Sequence, residues 1–207
     1  TDPDAAGWLA RAAHDEAASV HAFLALHREL ARHGAPRDLL AAVLLAAADE
    51  TRHAAALAAL ARAHGGPHLA PTLTPIAPRD LLAIAVENAV AGCVHETWAG
   101  LCAAHQARHA RDPNIRAAYA AIAGDEARHA DLAWALAAWL DDQLTPAARS
   151  LVAAARRAAV SRLHAELSVA TADPARADAD RTLGLPDPAT ARFLLAGLDA
   201  ALWSQAA

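Results

Sequence analysis

Two copies of one polar turn, set in an otherwise alanine- and leucine-rich chain, constrain the fold more than any other feature. The stretches "DETRHA" (49–54) and "DEARHA" (125–130) share five of six positions. In each copy the glutamate and the histidine are three residues apart, which places them on one face of an α-helix with Cβ atoms about 5–6 Å apart. A fold that brings the copies together would therefore have one site built from two related halves.

The composition favours helices and excludes two classes of partner. Of the 207 residues, 56% are hydrophobic but only 4% are aromatic, and alanine far outnumbers the β-branched residues. This balance predicts an all-α fold. The formal net charge is −5 and no basic stripe is present, so nucleic acid is not an expected partner. No run of about 20 apolar residues is free of charges, and we predict no membrane span.

Prolines and capping residues divide the chain into helices, four of which are predicted to start at a cap followed by proline: Asp2, Asp112, Thr145 and Asp187. The predicted helices run approximately over 3–32, 36–63, 79–111, 113–140, 146–169 and 188–204. The proline-rich segment 64–78 could extend over about 45 Å, enough to cross a bundle and set the third helix parallel to the second. We therefore predict two helical hairpins joined by a long crossover, a four-helix bundle over residues 1–140. Residues 141–207 add two C-terminal helices packed on the same domain, with an irregular polar connection at 171–187.

Each half of the bundle supplies one more carboxylate from its first helix. Counted from the connecting turns, Glu16 lies within about 6 Å of the height of Glu50, and Glu96 within about 6 Å of that of Glu126. Glu87 is the alternative to Glu96. The two are nine residues apart and face opposite sides of a continuous α-helix, with Glu87 about 13 Å further along. We predict that Glu96 points inward and that Glu87 is not a ligand.

This set of side chains suits a pair of metal ions. Four glutamates and two histidines inside a bundle offer oxygen and nitrogen ligands for two divalent first-row metals, iron foremost and manganese as the alternative. Without metal, the buried carboxylates would repel one another and lose their hydration. The predicted metal ligands are Glu16, Glu50, His53, Glu96, Glu126 and His129.

Residues next to these ligands carry further predictions. We expect Asp49 and Asp125 to accept hydrogen bonds from imidazole N–H groups across the bundle. Arg52 and Arg128 are expected to neutralise the outer carboxylates; for all four, an ordinary solvated helix surface is the alternative. Tyr119 lies two turns before the second motif, on the same face. It is either a catalytic redox neighbour of the metals or a packed core residue.

The order of these residues resembles the ferritin-like superfamily of di-iron carboxylate bundles, which includes bacterioferritins, rubrerythrins and di-iron oxygenases. The resemblance covers residues 1–140. It implies that Glu50 and Glu126 bridge the metals, that Glu16 and Glu96 are terminal ligands, and that each histidine binds one metal. The stretches "EAASVHAF", "GCVHETWAGL" and "DPNIRAAYAAIAGDEARHADLAW" are similar to a bacterial group of ferritin-like proteins.

The resemblance implies oxidoreductase chemistry, because two ferrous ions side by side can pass two electrons to O2 or peroxide. The leading hypothesis is a non-haem di-iron or di-manganese oxidase or oxygenase with a small organic substrate. The alternatives are a ferroxidase or iron store, and a structural bundle that binds metal without turnover. Rubredoxin-type cysteine pairs are missing, so we expect an external electron donor. The two C-terminal helices argue against a minimal storage-cage subunit, and an enzyme would be a monomer or homodimer.

Small residues surround Glu96 on the third helix. They would either leave a pocket for an organic substrate or allow close helix packing. The inward neighbours expected from α-helical spacing are Gly92, Cys93, Ala99, Gly100 and Ala103.

Neither the cysteines nor the first residue fixes the cellular location. Cys93 and Cys102 would lie on opposite helix faces about 13 Å apart, too far for a disulfide, so the redox compartment stays open. The sequence begins with Thr1, and we expect the native N-terminus to lie upstream. A cytoplasmic and an exported location are both compatible with this sequence.

Overall fold

Helices and the connections between them make up the structure of this chain, a computed structural model that describes residues 3–71 and 77–205. No strand occurs in these residues, which confirms the predicted all-α class. None of the helices in the described ranges combines the length and the apolar content needed to cross a lipid bilayer.

Seven helices occur in the described residues when each π-helical stretch is counted with the α-helix it continues. They are α1 (Pro3–Arg32), α2 (Arg37–Ala63), α3 (81–109), α4 (Pro113–Gln143), α5 (Pro146–Val169), α6 (Ala177–Leu183) and α7 (188–203). Helix α3 consists of Leu81–Glu87, the π-helical segment Asn88–Glu96 and Thr97–His109, and α7 consists of Pro188–Leu198 and the π-helical turn Asp199–Trp203.

The capping residues start the helices where the sequence predicts. The Asp112 carboxylate accepts hydrogen bonds from the N–H groups of Asn114 and Ile115, at 2.7 and 3.3 Å, before the proline that opens α4. Thr145 and Asp187 cap α5 and α7 in the same way, each followed by proline. Proline suits this position because the first helical N–H groups have no partner within the helix. Asp2, the predicted cap of α1, lies outside the described residues.

The prediction of an irregular connection at 171–187 was wrong in part, because α6 lies within it. Ala179 and Leu183, four residues apart, are buried against the core formed by α1 and α4. The helix ends at Gly184, whose φ of 68° is readily adopted only by glycine. A Cβ atom there would lie 2.2 Å from the backbone nitrogen of Ala110. Contact with the bundle core therefore stabilises a helix that the polar sequence of this segment does not predict.

The third predicted helix is continuous, but its middle is not an α-helix. In the π-helical segment Asn88–Glu96, hydrogen bonds reach from residue i to residue i+5, so each turn contains more residues than an α-helical turn. The carbonyl of Cys93 accepts hydrogen bonds from the Thr97 hydroxyl (3.1 Å) and the Trp203 indole N–H (2.8 Å). Helix α7 thus supports the segment that ends at Glu96.

The chain direction follows from a few contacts. Asp49 faces His129 and His53 faces Asp125, so α2 and α4 run in opposite directions. Helix α3 begins beside the end of α1, where the backbone carbonyl of Arg79 lies 3.0 Å from the ring of His33. The hairpins α1–α2 and α3–α4 therefore meet through α2 and α4, with α3 parallel to α2. The intervening connection includes 72–76, outside the described residues.

Two apolar clusters fill the bundle on either side of its middle. One contains Leu9, Leu57, Ile115 and Tyr119. The other contains Leu30, Val43, Ile84 and Leu136. On each of the four bundle helices, the predicted metal ligands lie between residues of these two clusters. The site is therefore held midway along the bundle, in an interior with little access to water.

The C-terminal helices cover the outer side of α3. Val94 of the π-helical segment packs with Val160 and Leu163 of α5 and with Leu195 and Trp203 of α7. This third apolar cluster joins residues beyond 143 to the bundle, next to the segment that carries Glu96.

Candidate metal centre

The structure brings all six predicted ligands together, four of them buried and Glu16 and Glu96 partly buried. Oxygen and nitrogen atoms of Glu16, Glu50, His53 and Glu126 lie within 4.8 Å of one another. Glu126 also belongs to a second such group of three, with Glu96 and His129. Glu50, His53, Glu126 and His129 are each at most 5% exposed. Each of these groups could hold a metal ion, and Glu126 is the residue that the two groups share.

Each histidine is oriented by an aspartate from the other half of the bundle. The Nε2 atom of His53 lies 3.0 Å from Asp125 Oδ2, and that of His129 lies 3.4 Å from Asp49 Oδ2. An aspartate that accepts a hydrogen bond from Nε2–H leaves Nδ1 to face inward. This exchange of partners between α2 and α4 matches the arrangement expected from the sequence.

Two arginines close the outer side of this network. Arg52 and Arg128 each contact both Asp49 and Asp125. Their side chains are about half exposed, whereas Asp49 is 1% exposed. Each aspartate that reaches into the bundle is therefore paired on its outer side with two guanidinium groups. The sequence predicted this role for the arginines.

The Nδ1 atoms of both histidines are buried and have no hydrogen-bond partner among the described residues. His53 Nδ1 lies 3.3 Å from Glu126 Oε1 and 3.6 Å from Glu16 Oε2. His129 Nδ1 lies 3.1 Å from Glu50 Oε1. A buried polar atom without a partner costs about 1–3 kcal/mol. The two unpartnered nitrogens, directed at the carboxylates of Glu16, Glu50 and Glu126, fit a divalent metal, which would bind both nitrogen and oxygen atoms.

Burial and crowding set the protonation of the glutamates. Burial, a hydrogen bond with Glu16 and the charges of Glu16, Glu126 and Glu96 raise the pKa of Glu50 to about 11. Burial and the neighbouring Glu126 and Glu16 raise the pKa of Glu96 to about 8. Burial would also raise the pKa of Glu16, but the facing His53 ring and a hydrogen bond from Glu50 lower it overall. The metal-free cluster thus retains protons at neutral pH that bound metal would displace.

Burial and the neighbouring carboxylates shift the pKa of His53 in opposite directions. Burial lowers the pKa of His53, but the facing carboxylates of Glu126 and Glu16 and the hydrogen bond with Asp125 raise it overall to about 10. Burial would raise the pKa of Asp125, but His53 and Arg128 lower it. His53 and Asp125 therefore form an ion pair in the metal-free protein.

Glu87 lies apart from the cluster, but not because it faces the opposite side of α3 from Glu96, as α-helical spacing predicts. The Glu87 carboxylate contacts Arg79, and its side chain is 52% exposed. Yet Glu87 and Glu96 border the same cleft rather than opposite faces of α3. The π-helical segment between them turns less per residue than an α-helix, so counting at 100° per residue overstates their angular separation.

Tyr119 lies in the apolar cluster below the site. Its ring is buried, with its centroid 6.2 Å from that of Trp8. Burial and the charge of Glu16 raise the pKa of the phenol. Tyr119 is a packed core residue close to the carboxylates, and its catalytic role stays a prediction.

The small residues of α3 bring this helix close to α4. A Cβ atom on Gly100 would lie 3.2 Å from the Cβ atom of Glu126, and one on Gly92 would lie 2.8 Å from that of Ala133. Cys93 and Ala103 are buried as expected, whereas Ala99 is exposed, contrary to the prediction. Close packing therefore prevails next to Glu126. Both cysteines are free.

Three residues near the centre were not anticipated from the sequence. The ring centroid of Phe23 lies 5.5 Å from that of His129. Phe23 is seven residues after Glu16, two helical turns on the same face, and this spacing could have identified it. Asn88, whose amide donates to the carbonyl of Ala133 at 2.9 Å, and Arg79 had no comparable signal.

The different positions of Glu96 and Glu87 predict different effects of the same substitution. We expect Glu96→Gln to remove at least one of the metal ions bound per chain, because an amide is a weaker ligand than a carboxylate. Glu87→Gln should leave metal content unchanged, since it affects only a half-exposed ion pair worth about 0–1 kcal/mol. Metal analysis of both purified variants checks this expectation. Loss of metal from the Glu87 variant and retention in the Glu96 variant would reverse the assignment.

No protein-family model matches the sequence, and no curated protein or solved structure is significantly similar to this chain.

Proposed function

We propose that this chain is a ferritin-like, non-haem di-metal carboxylate protein that activates O2 or peroxide to oxidise a small organic substrate. The single observation that carries the proposal is the pair of buried Nδ1 atoms of His53 and His129, unpartnered among the described residues and facing three of the four glutamates. The Glu-x-x-His pairs on α2 and α4, with one further glutamate on each of α1 and α3, follow the ligand pattern of di-iron bundles.

Glu16, Glu50 and His53 would hold one metal ion, and Glu96, Glu126 and His129 the other. Glu50 and Glu126 are the bridging candidates, since Glu126 belongs to both groups and Glu50 lies next to the opposite histidine. When bound, two ferrous ions would supply two electrons to O2 or peroxide. Iron is the first choice, and manganese suits the same ligands.

The protein's own residues orient and insulate such a centre. Asp49 and Asp125 fix the two imidazole rings so that Nδ1 faces inward. Arg52 and Arg128 compensate the charge of these aspartates on the outer side. The apolar clusters above and below exclude water, which protects reactive species from side reactions. Electrons would come from an external donor.

Metal identification and oxygen uptake test this proposal together. Protein purified from iron-replete cells should give an anomalous-scattering signal for iron at the cluster, and about two metal ions per chain. Iron-loaded protein supplied with a reductant should consume O2 as a monomer or dimer. Mineralisation of many iron ions per chain in a cage-sized assembly would instead establish an iron store. Metal binding without any O2 or peroxide consumption would leave only a structural role.

A further inference from the structure

A cleft of about 120 Å³ leads to the metal centre between α1, α3 and α4. Glu96 and His129 line its inner end, and Arg79 and Glu87 line its outer end. It exists because α1 and α3 scarcely contact each other, while each packs closely on its hairpin partner. The cleft thus connects the cluster with the side of the bundle on which α1 and α3 are separated.

The walls of this cleft are apolar, and its opening is lined by small residues. Phe23, Leu26 and Leu132 contribute large apolar surfaces. Ala22 of α1 and Ala91 of α3 also line the cleft, and both are exposed. Because neither alanine has a side chain long enough to cover the cleft, a molecule could enter between them.

Among the described residues, the charged groups at the outer end offer no free cation. The Arg79 guanidinium lies 3.0 Å from Glu29 Oε1 through Nε and 2.6 Å from Glu29 Oε2 through an Nη atom, and it also contacts Glu87. Arg32 lies 4.0 Å from Glu29 as well, so the two arginines at this end are paired with the two carboxylates. An anionic ligand would find no unpaired cation, and a charged ligand of either sign would lose its hydration against the apolar walls.

We infer that this cleft binds an uncharged, apolar molecule with a group about the size of a benzene ring, placed next to Glu96 and His129. A dry cavity of about 150 Å³ lined by Leu, Ile and Phe binds benzene or xenon, so the volume here suits one small ring. A substituent on the ring could project between Ala22 and Ala91. This inference names the substrate class of the proposed oxidation and rests on that function for its biological meaning.

Toluene binding to the full-length chain tests the inference directly. Calorimetry should detect toluene binding to the protein with and without metal, and benzoate should bind at least tenfold more weakly. Ala91→Phe should weaken toluene binding at least tenfold by filling the opening. The matched control is Ala99→Phe, which alters an exposed alanine of the same helix that does not line the cleft. It should bind toluene like the unaltered protein.

A second variant keeps the test decisive if Ala91→Phe does not fold. Ala22→Phe would narrow the same opening from α1 and should weaken toluene binding to a similar extent. No toluene binding to the unaltered protein, tighter binding of benzoate, or unchanged binding in both variants would overturn the inference. Metal content is measured on the same samples. If the protein binds metal but not toluene, only the inference about the cleft is refuted. If it binds toluene but never binds metal, only the proposed function is refuted.

Discussion

Replacing Glu50 and Glu126 together by alanine is expected to abolish metal binding. Glu126 belongs to both groups of ligand atoms, and Glu50 belongs to one and lies 3.1 Å from the histidine of the other. The double substitution would thus remove one glutamate from each hairpin, and these are the two carboxylates proposed to bridge the metal ions. After anaerobic loading with Fe(II) and desalting, elemental analysis should find about two metal ions per chain in the unaltered protein. It should find none in the double variant.

Two further double variants separate ligand loss from misfolding. Glu50→Gln with Glu126→Gln keeps the side-chain volume but replaces both carboxylates by amides. It should fold without metal, since the amide resembles the protonated acid that Glu50 forms there. Asp131→Ala with Glu166→Ala removes two exposed carboxylates outside the cluster and should bind metal normally. Retention of two metal ions by the alanine variant, with a normal far-UV circular dichroism spectrum, would refute the site assignment.

The helices and the members of the cluster were predictable because each depends on local rules. Asp112 with Pro113 starts α4 through backbone geometry that no distant residue needs to supply. The glutamate and histidine of each motif share a face because three residues nearly complete a helical turn. The heights of Glu16 and Glu96 follow from counting residues back from a turn, at a fixed rise per residue.

The π-helical segment and α6 were not predictable in the same way, because distant parts of the chain stabilise them. The carbonyl of Cys93 accepts a hydrogen bond from Trp203, more than a hundred residues later. Leu183 of α6 is buried against a core made by the bundle helices. Neither contact leaves a periodic signal in the sequence, which therefore predicts an ordinary α-helix for the first segment and an irregular connection for the second.

The cleft was also not predictable from the sequence, because it depends on contacts between distant residues. Its walls come from α1, α3 and α4, and its charged end depends on Arg79 meeting Glu29 from another helix. The sequence indicated small residues around Glu96, but not on which side of α3 they would leave space. Gly100 and Gly92 both pack against α4, but only Gly92 also borders the cleft. The separation of α1 from α3 decides this difference.

The metal-free protein is expected to lose stability as pH rises from 5 to 7.5. The pKa of Glu96 is raised to about 8 and that of Glu50 to about 11, from an ordinary value of 4.5, by burial and neighbouring carboxylates. A carboxylate with a raised folded pKa contributes stability that is complete below 4.5 and is lost as pH rises through the folded value. Each such group lowers the free energy of unfolding by up to about 1.4 kcal/mol per pH unit in this window.

Other shifted groups do not reverse this trend. The pKa of His53 is raised from 6.5 to about 10, so its contribution is lost in the same direction above pH 6.5. Glu16, Glu29 and Asp125 have lowered pKa values, and their stabilisation is lost only as pH falls below their ordinary values of 4.5 or 3.8. Burial lowers the pKa of His105, and this one group acts in the opposite direction below pH 6.5. Between pH 5 and 7.5 the two carboxylates with raised pKa values outweigh it and determine the sign.

Bound metal should reverse the pH preference, because its ligands bind deprotonated and protons compete with it. At pH 7.5, a hundredfold excess of metal over its dissociation constant should add about 2.7 kcal/mol to the free energy of unfolding and raise the melting temperature. At pH 5 the same metal concentration should add much less. Thermal melts with and without Fe(II) or Mn(II) at both pH values measure the two effects. Identical melts at pH 7.5 under saturating metal would mean that the glutamates and histidines do not form a metal site, because any ligand that binds only the folded chain must stabilise it.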